Sequence, residues 1–128
     1  MAKLGLKPEA KEGKCYYGTF PETSLMALAG YVGYFVAIVR EKEGITAVFS
    51  EDALESLRLY AQKKFEGPFC LITFSAATSL NATGITAAAS SALAKERIPA
   101  NVIAGYYHDH VLVPHGMKEK ALKILAAL

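Results

Sequence analysis

The sequence has few cysteines, and their positions argue against a C-x-x-C redox motif and against a metal site made of cysteines. Its two cysteines in 128 residues form neither a C-x-x-C pair nor a cluster of metal ligands. Cys15 and Cys70 both lie in apolar, strand-like surroundings, so we expect buried, reduced thiols. A disulfide between them is the alternative that the pattern leaves open.

The sequence also has only a small excess of positive over negative charge. The formal net charge is +2, and no dense stripe of Lys and Arg is present, so nothing indicates a nucleic-acid partner. RNA-binding sheets place exposed aromatics beside basic residues on their central strands. The strand-like stretch "CLITFS" offers only Phe74, without a charge.

The apolar stretch from Thr23 to Val39 is the candidate for a membrane span. It has 17 uncharged residues interrupted by Gly30 and Gly33, whereas a spanning helix needs about 20. Its second half, "GYFVAIV", favours a buried strand after a short helical or irregular piece. The N-terminal residues are polar and lack the apolar core of a signal peptide, so we expect a soluble, cytoplasmic protein.

Catalytic motifs are also missing from the sequence. There is no G-x-S-x-G elbow, no phosphate-binding P-loop and no dinucleotide fingerprint. Cys70 and His108 could in principle pair as nucleophile and base. A cysteine inside an apolar strand should, however, be buried, inert and raised in pKa. We therefore expect no enzyme, no catalytic residues and no cofactor.

The residues from Gly67 to the C-terminus predict strand, helix, strand, strand and helix. The strands are "PFCLITFSA", "ANVIAGYY" and "HVLVP". The first helix, residues 84–97, stops at Ile98-Pro99 because proline cannot continue it. The apolar faces of the two helices are predicted at Ile85, Ala88, Ala89, Ala92 and Leu93, and at Met117, Ala121, Ile124, Leu125 and Leu128.

The N-terminal half repeats this order in abbreviated form. "GKCYYGTF" is similar to "GPFCLITF", and "GYFVAIVR" and "GITAVFS" occupy the places of the second and third strands. Only "PETSLMALAG" stands where a full helix should follow the first strand. Ser50 is a good N-cap for the last helix of this half. We expect a degenerate subdomain at 1–64 and a complete domain at 65–128.

Three motifs of the second half resemble those of the ACT domain family. They are "NATGI" at the first strand-to-helix turn, "ERIPANVIAG" before the second strand and "YYHDHVLVP" after it. The chain is similar to small stand-alone tandem ACT-like proteins, and its second half to the ACT units of arginine sensors and aspartate kinases. The resemblance implies an α+β fold, the ferredoxin-like βαββαβ architecture, with antiparallel sheets and helices on one face. The abbreviated first copy and Pro99 depart from the family pattern.

The turn before the first helix of the second half is the candidate ligand site. A helix N-terminus leaves backbone N–H groups unpaired and carries partial positive charge, which suits a carboxylate. Gly84 lacks the Cβ that would obstruct those donors. With the resemblance, the predicted set is Asn81, Thr83, Gly84, Ile85, Thr86 and Asn101. The alternative is a plain N-cap made by Asn and Thr.

Two of the three histidines flank an aspartate, at His108, Asp109 and His110. The stretch fits a hairpin in which Asp109 makes the turn. As a metal site it is short of ligands, because structural zinc takes four and catalytic zinc three plus water. We therefore expect no metal here.

These observations favour a regulatory protein that binds a small molecule, an amino acid by resemblance, and acts through assembly or a partner. A symmetric homodimer is expected, because strands apolar on both faces leave one sheet face to cover. Two alternatives stay open. One is a ligand-free oligomerisation module, and the other is a metal-dependent hydrolase using His108, Asp109 and His110.

Overall fold

The structure is a computed structural model that describes residues 4–76 and 84–128. Contacts divide these residues into two compact units. The inserted unit comprises residues 13–68, and the C-terminal unit comprises residues 4–12 together with 69–128. The sequence predicts two repeats that are divided at residue 64, and this division into repeats stays a prediction. By contact, the first described residues group with the second half of the chain.

The described residues contain seven strands and four α-helices. The strands are β1 (Pro8–Ala10), β2 (Cys15–Phe20), β3 (Phe35–Glu41), β4 (Gly44–Ser50), β5 (Glu66–Phe74), β6 (Asn101–Ala104) and β7 (Asp109–Pro114). The helices are α1 (Leu25–Ala29), α2 (Leu54–Leu57), α3 (Ile85–Lys95) and α4 (Lys118–Ala126). Short 3-10 turns precede α1, α2 and α4. None of the described helices is both long and apolar enough to span a membrane.

The C-terminal unit contains an antiparallel sheet in the order β1-β5-β7-β6. If β5, β6 and β7 are counted as first, second and third strand, β1 takes the place of the fourth. The order is then fourth, first, third, second, which is that of a ferredoxin-like sheet. The sequence pattern predicted β5, β6 and β7 but missed β1. A three-residue strand containing proline gives no periodic signal.

The core of the C-terminal unit lies between this sheet and its two helices. Cys70, Ile72 and Phe74 alternate along β5 and are all at most 1% exposed, as expected for one face of a strand. Val111 and Val113 on β7 belong to the same cluster. So do Ala89 and Leu93 of α3 and Ala121 and Leu125 of α4. The predicted helix faces are confirmed in the residues that lie in or against this cluster, namely Ile85, Ala89, Leu93, Ala121, Ile124, Leu125 and Leu128. Ala88 and Ala92 are half-buried and lie outside it, and Met117, in the 3-10 turn before α4, is 39% exposed.

The inserted unit has an antiparallel sheet in the order β3-β4-β2. The register pairs Tyr16 with Phe49 and Phe20 with Ile45, which places these side chains on one face. The ring of Phe65 packs against Phe20 and Phe49 at centroid distances of 5.8 and 5.0 Å. These aromatics form the centre of the unit's core.

The last helix of the inserted unit begins as the sequence predicts. The hydroxyl of Ser50 accepts a hydrogen bond from the Asp52 N–H at 3.3 Å, which confirms it as a cap. The strand expected in "GYFVAIV" forms from Phe35 onward, but the expectation that it is buried is wrong. Phe35 to Ala37 are half-buried, and Ile38 and Val39 are 46% and 52% exposed, because β3 is the edge strand of this sheet.

Both cysteines are buried, as predicted. Burial raises the pKa of the Cys70 thiol, and the ammonium of Lys118 opposes this effect only in part. A thiol in this setting is a core side chain rather than a nucleophile. Phe74 is 1% exposed, so the single aromatic ring of "CLITFS" cannot stack on a base.

Candidate ligand site at the start of α3

Gly84 is the N-cap residue of α3 and adopts a left-handed conformation, with φ +86° and ψ −21°. A β-branched residue is strained at this φ. Within the described ranges, 4–76 and 84–128, no heavy atom lies within 4 Å of where a Cβ at Gly84 would be. The position therefore combines a conformational need for glycine with free space on the side of the described residues.

The first turn of α3 presents backbone donors that the helix does not use. The first bond of the helix runs from the Ala88 N–H to the Gly84 carbonyl at 2.9 Å. The N–H groups of Ile85, Thr86 and Ala87 therefore have no acceptor within the helix. Gly84 has no side chain to cap them, and no acidic side chain lies in the first turn. The partial positive charge of this helix end is therefore not offset by Gly84 or by a side chain of the first turn.

The other residues predicted at this turn differ in their surroundings. Ile85 is half-buried and packs against the core of the C-terminal unit, so its side chain anchors the first turn. Thr86 is exposed in the first turn of α3. Asn81 and Thr83 lie outside the described residues.

Asn101 lies away from the helix start. It pairs with Leu112 in the sheet, and its neighbour Val102 packs into the core. Because neighbouring side chains of a strand point to opposite faces, Asn101 lies on the face away from α3 and α4. Since Leu112 in turn pairs with Leu71 of β5, Asn101 lies level with Leu71 in the sheet. Leu71 is two residues before Thr73 on that strand. The structure therefore does not bring Asn101 together with Gly84.

The histidine stretch forms a hairpin, as the sequence predicts. β6 ends at Ala104, which pairs with Asp109, and the turn between them is residues 105–108. The Gly105 N–H donates to the His108 carbonyl at 2.9 Å. A Cβ at Gly105 would lie 2.8 Å from that carbonyl oxygen, so the tight turn requires glycine here. The turn is made by these four residues, whereas Asp109 is already the first residue of β7.

His110 has a partner that sequence patterns gave no reason to expect. Its Nδ1 lies 2.8 Å from the Thr73 hydroxyl of β5, on the sheet face away from the helices. Burial lowers the pKa of His110, His108 lowers it further, and Asp109 raises it. The ring is therefore held largely neutral near pH 7. The pair can be identified only from the register of the paired strands, since the two residues are 37 positions apart in the sequence.

The remaining groups of the hairpin do not assemble a metal site. Among residues 4–76 and 84–128, no group of three His, Cys, Asp or Glu side chains could hold an ion. His108 Nδ1 is buried and has no hydrogen-bond partner among the described residues. Tyr106 and Tyr107 extend from the turn, 75% and 72% exposed, with their rings in an edge-to-face contact at 4.9 Å.

The described residues form a mixed α/β protein with an antiparallel ferredoxin-like sheet and a helix start whose first-turn N–H groups have no acceptor within the helix. Residues 67–127 match the model of the ACT domain family, and the chain belongs to this family. A comparison with curated proteins gives no significant match.

Solved structures share the fold of this chain. A Vibrio cholerae protein of unknown function, described as a possible transport protein, is 36% identical, with a TM-score of 0.76 over 94% of this chain and 88% of that one. The protein Atu0741 from Agobacterium tumefaciens is 20% identical, with a TM-score of 0.76 over 99% and 90% of the two chains. The regulatory subunit of aspartate kinase from Thermus thermophilus, in its ligand-free form, is 12% identical, with a TM-score of 0.72 over 92% of each. The last two show the fold alone.

Proposed function

We propose that this protein is a regulatory protein that binds an amino acid at the start of α3 and performs no chemical step. The ligand carboxylate accepts hydrogen bonds from the N–H groups of the first turn, next to Gly84. Thr86 contributes its hydroxyl, and Ile85 fixes the turn against the core. Asn81 and Thr83 contribute from the preceding segment. Asn101 is left out because of its place on the opposite sheet face.

The observation that carries this proposal is the start of an eleven-residue helix behind a glycine with φ +86°, where no side chain of the described residues caps the first turn. A helix start of this kind binds carboxylates well. Family membership and the fold shared with regulatory subunits of aspartate kinases support a regulatory role. The polar groups offered carry no fixed charge, which suits the zwitterion of an amino acid.

A tandem arrangement and a symmetric dimer belong to the same proposal. Both units follow the order strand, helix, strand, strand, helix, and the first helix has five residues in the inserted unit against eleven in the C-terminal unit. This supports two copies, the first with a shortened helix. The edge strand β3 exposes apolar side chains that a second copy can cover. A cytoplasmic location stays a prediction.

A thermal-shift screen of the twenty amino acids tests the ligand class. A ligand at one hundred times its dissociation constant adds about 2.7 kcal/mol to the free energy of unfolding, which shifts the melting temperature measurably. A shift with one or a few amino acids supports the proposal. No shift with any of them would favour the competing function, a ligand-free oligomerisation module.

Gly84→Val tests the position of the site. The positive φ predicts a loss of about 1–3 kcal/mol in the free energy of unfolding. The added side chain also blocks the approach to the first-turn donors, so the ligand-induced thermal shift should disappear. Gly116→Val is the matched control, because that glycine is equally open but has no positive φ. A folded Gly84→Val that binds the amino acid normally would disprove this site and direct attention to the surface beside Tyr106 and His108.

A further inference from the structure

A cavity lies within the inserted unit, and the proposed amino-acid site does not use it. Its volume is about 710 Å³, within the range of small-molecule sites. The apolar part of its lining is formed by Tyr16, Leu54, Ala61 and Phe65. The charged part is formed by Arg58, Lys63 and Lys64, and no acidic side chain lines the cavity.

The segment that carries the two lysines is held at both ends. On one side the Gln62 N–H donates to the Thr19 carbonyl at 2.9 Å, and the Thr19 hydroxyl donates to Gln62 Oε1 at 3.2 Å. On the other side Phe65 is packed against the rings of Phe20 and Phe49. Lys63 and Lys64 lie between these anchors, so their backbone is positioned at the rim before any ligand arrives.

Glycines make room for both anchors. A Cβ at Gly18 would lie 2.7 Å from the Phe65 ring, and one at Gly44 would lie 2.8 Å from Gln62 Oε1. With a larger residue at Gly18 the Phe65 ring would have to move, and with one at Gly44 the Gln62 side chain would have to move. The arrangement of the segment is therefore built into the strands of the inserted unit.

The cations of the rim are available to an anion. Lys63 and Lys64 form no ion pair with any described residue, and both are exposed. Arg58 contacts Glu55 at 3.1 Å, but both side chains are more than half exposed, and such surface pairs contribute little. The guanidinium has five donors, so it can bind a second acceptor group.

We infer that this cavity binds a small organic phosphate with a planar ring, a mononucleotide being the simplest ligand of that chemistry. Three neighbouring cations, of which only Arg58 is paired with a described acid, match a group with more than one negative charge better than they match a carboxylate. Tyr16 and Phe65 provide ring surface for a planar base, next to the side chains of Leu54 and Ala61. The site lies in the inserted unit, so it is a second binding function separate from the amino-acid site.

Isothermal titration calorimetry of the full chain with AMP, ATP and inorganic pyrophosphate tests the inference. The double variant Lys63→Ala/Lys64→Ala should weaken nucleotide binding by about tenfold or more, since it removes two of the three cations that would bind the phosphate. The control double variant Lys95→Ala/Lys123→Ala removes the same charge from exposed positions of α3 and α4 and should leave the affinity unchanged.

Two further comparisons make the result decisive. Nucleotide binding should survive Gly84→Val, so failure of the amino-acid site leaves this inference standing. Pyrophosphate should bind more weakly than ATP, because it has no ring. Absence of nucleotide binding at millimolar concentration, or equal losses in the two double variants, would overturn the site. Equal affinities for pyrophosphate and ATP would overturn the assignment of a ring-bearing ligand.

Discussion

At the scale of single residues, the pair of Thr73 and His110 shows how register creates a site from separate motifs. The two side chains meet because β5 and β7 are paired with Thr73 opposite His110. The histidine belongs to a stretch that could have bound a metal, yet one of its ring nitrogens is engaged by a hydroxyl. Its chemistry is thus set by a neighbouring strand.

The lowered pKa of His110 predicts how stability depends on pH. In the unfolded chain the ring titrates near its ordinary value of 6.5, while in the folded chain it titrates lower. As the pH falls below 6.5, the unfolded chain binds a proton that folded His110 resists, so the free energy of unfolding falls. That loss ends once the pH has passed below the folded pKa.

Urea unfolding at about pH 7.5 and about pH 5.5 measures this contribution. Stability should be greater at the higher pH, and His110→Gln should reduce the difference between the two conditions. Glutamine keeps a polar group next to the Thr73 hydroxyl but cannot titrate. An equal pH dependence in the two proteins would contradict the assignment of the effect to His110.

At the scale of elements, β1 is the strand that completes the sheet of the C-terminal unit. Pro8, Glu9 and Ala10 pair with Phe74, Thr73 and Ile72 of β5. The segment is also held by the Leu4 N–H, which donates to the Leu128 carbonyl at 2.7 Å. Leu6, just before β1, is 3% exposed and belongs to the core cluster of α3 and α4. The first described residues are therefore part of a unit whose other strands begin more than fifty residues later.

Leu6→Ala should test this closure. Removing a buried leucine side chain should lower the free energy of unfolding by about 2–4 kcal/mol, since it takes away apolar burial and leaves a cavity. Leu4→Ala is the matched control, because Leu4 is 45% exposed, and it should cost no more than about 0.5 kcal/mol. Chemical denaturation measures both. Equal small effects would mean that the N-terminal segment does not contribute to this core.

At the scale of the whole molecule, exposed strand edges bear on assembly. The face of the C-terminal sheet away from the helices is not simply open, since Leu71 and Leu112 are 7% and 0% exposed. The case for association therefore shifts to β3, the edge strand on which Ile38 and Val39 are exposed. An exposed apolar edge pairs readily with another chain.

Val39→Lys should test assembly through this edge. The unaltered protein should have twice the monomer mass of 13.7 kDa by size-exclusion chromatography with light scattering, and the variant should have the monomer mass. A lysine on an edge strand opposes pairing by placing a charge in the contact. Leu59→Lys is the control, because Leu59 is 82% exposed in a 3-10 turn off the sheet. A monomer mass for the unaltered protein would contradict the dimer.

Much of the fold and the conformational need for glycine at the candidate site could be predicted from the sequence. Runs of apolar and strand-forming residues predicted β5 and β7, helical spacing predicted much of the core faces of α3 and α4, and Ser50 was found as a cap. These features depend on residues close together in the chain, where periodicity and local hydrogen bonding act directly. Gly84 was likewise recognised from a local need, a residue without a Cβ at a helix start. The histidine hairpin was predicted too, although its turn lies one residue earlier than expected.

By itself, then, the sequence determined the order of elements and the residues that start the helices. The tertiary structure alone decided that β1 closes the C-terminal sheet, that Asn101 lies away from Gly84, and that Thr73 meets His110. It also decided that Lys63 and Lys64 lie at the rim of an aromatic cavity. Each of these depends on which strands pair and in what register, over separations of tens of residues. Local patterns do not encode such pairing, because it is fixed by the packing of the whole unit.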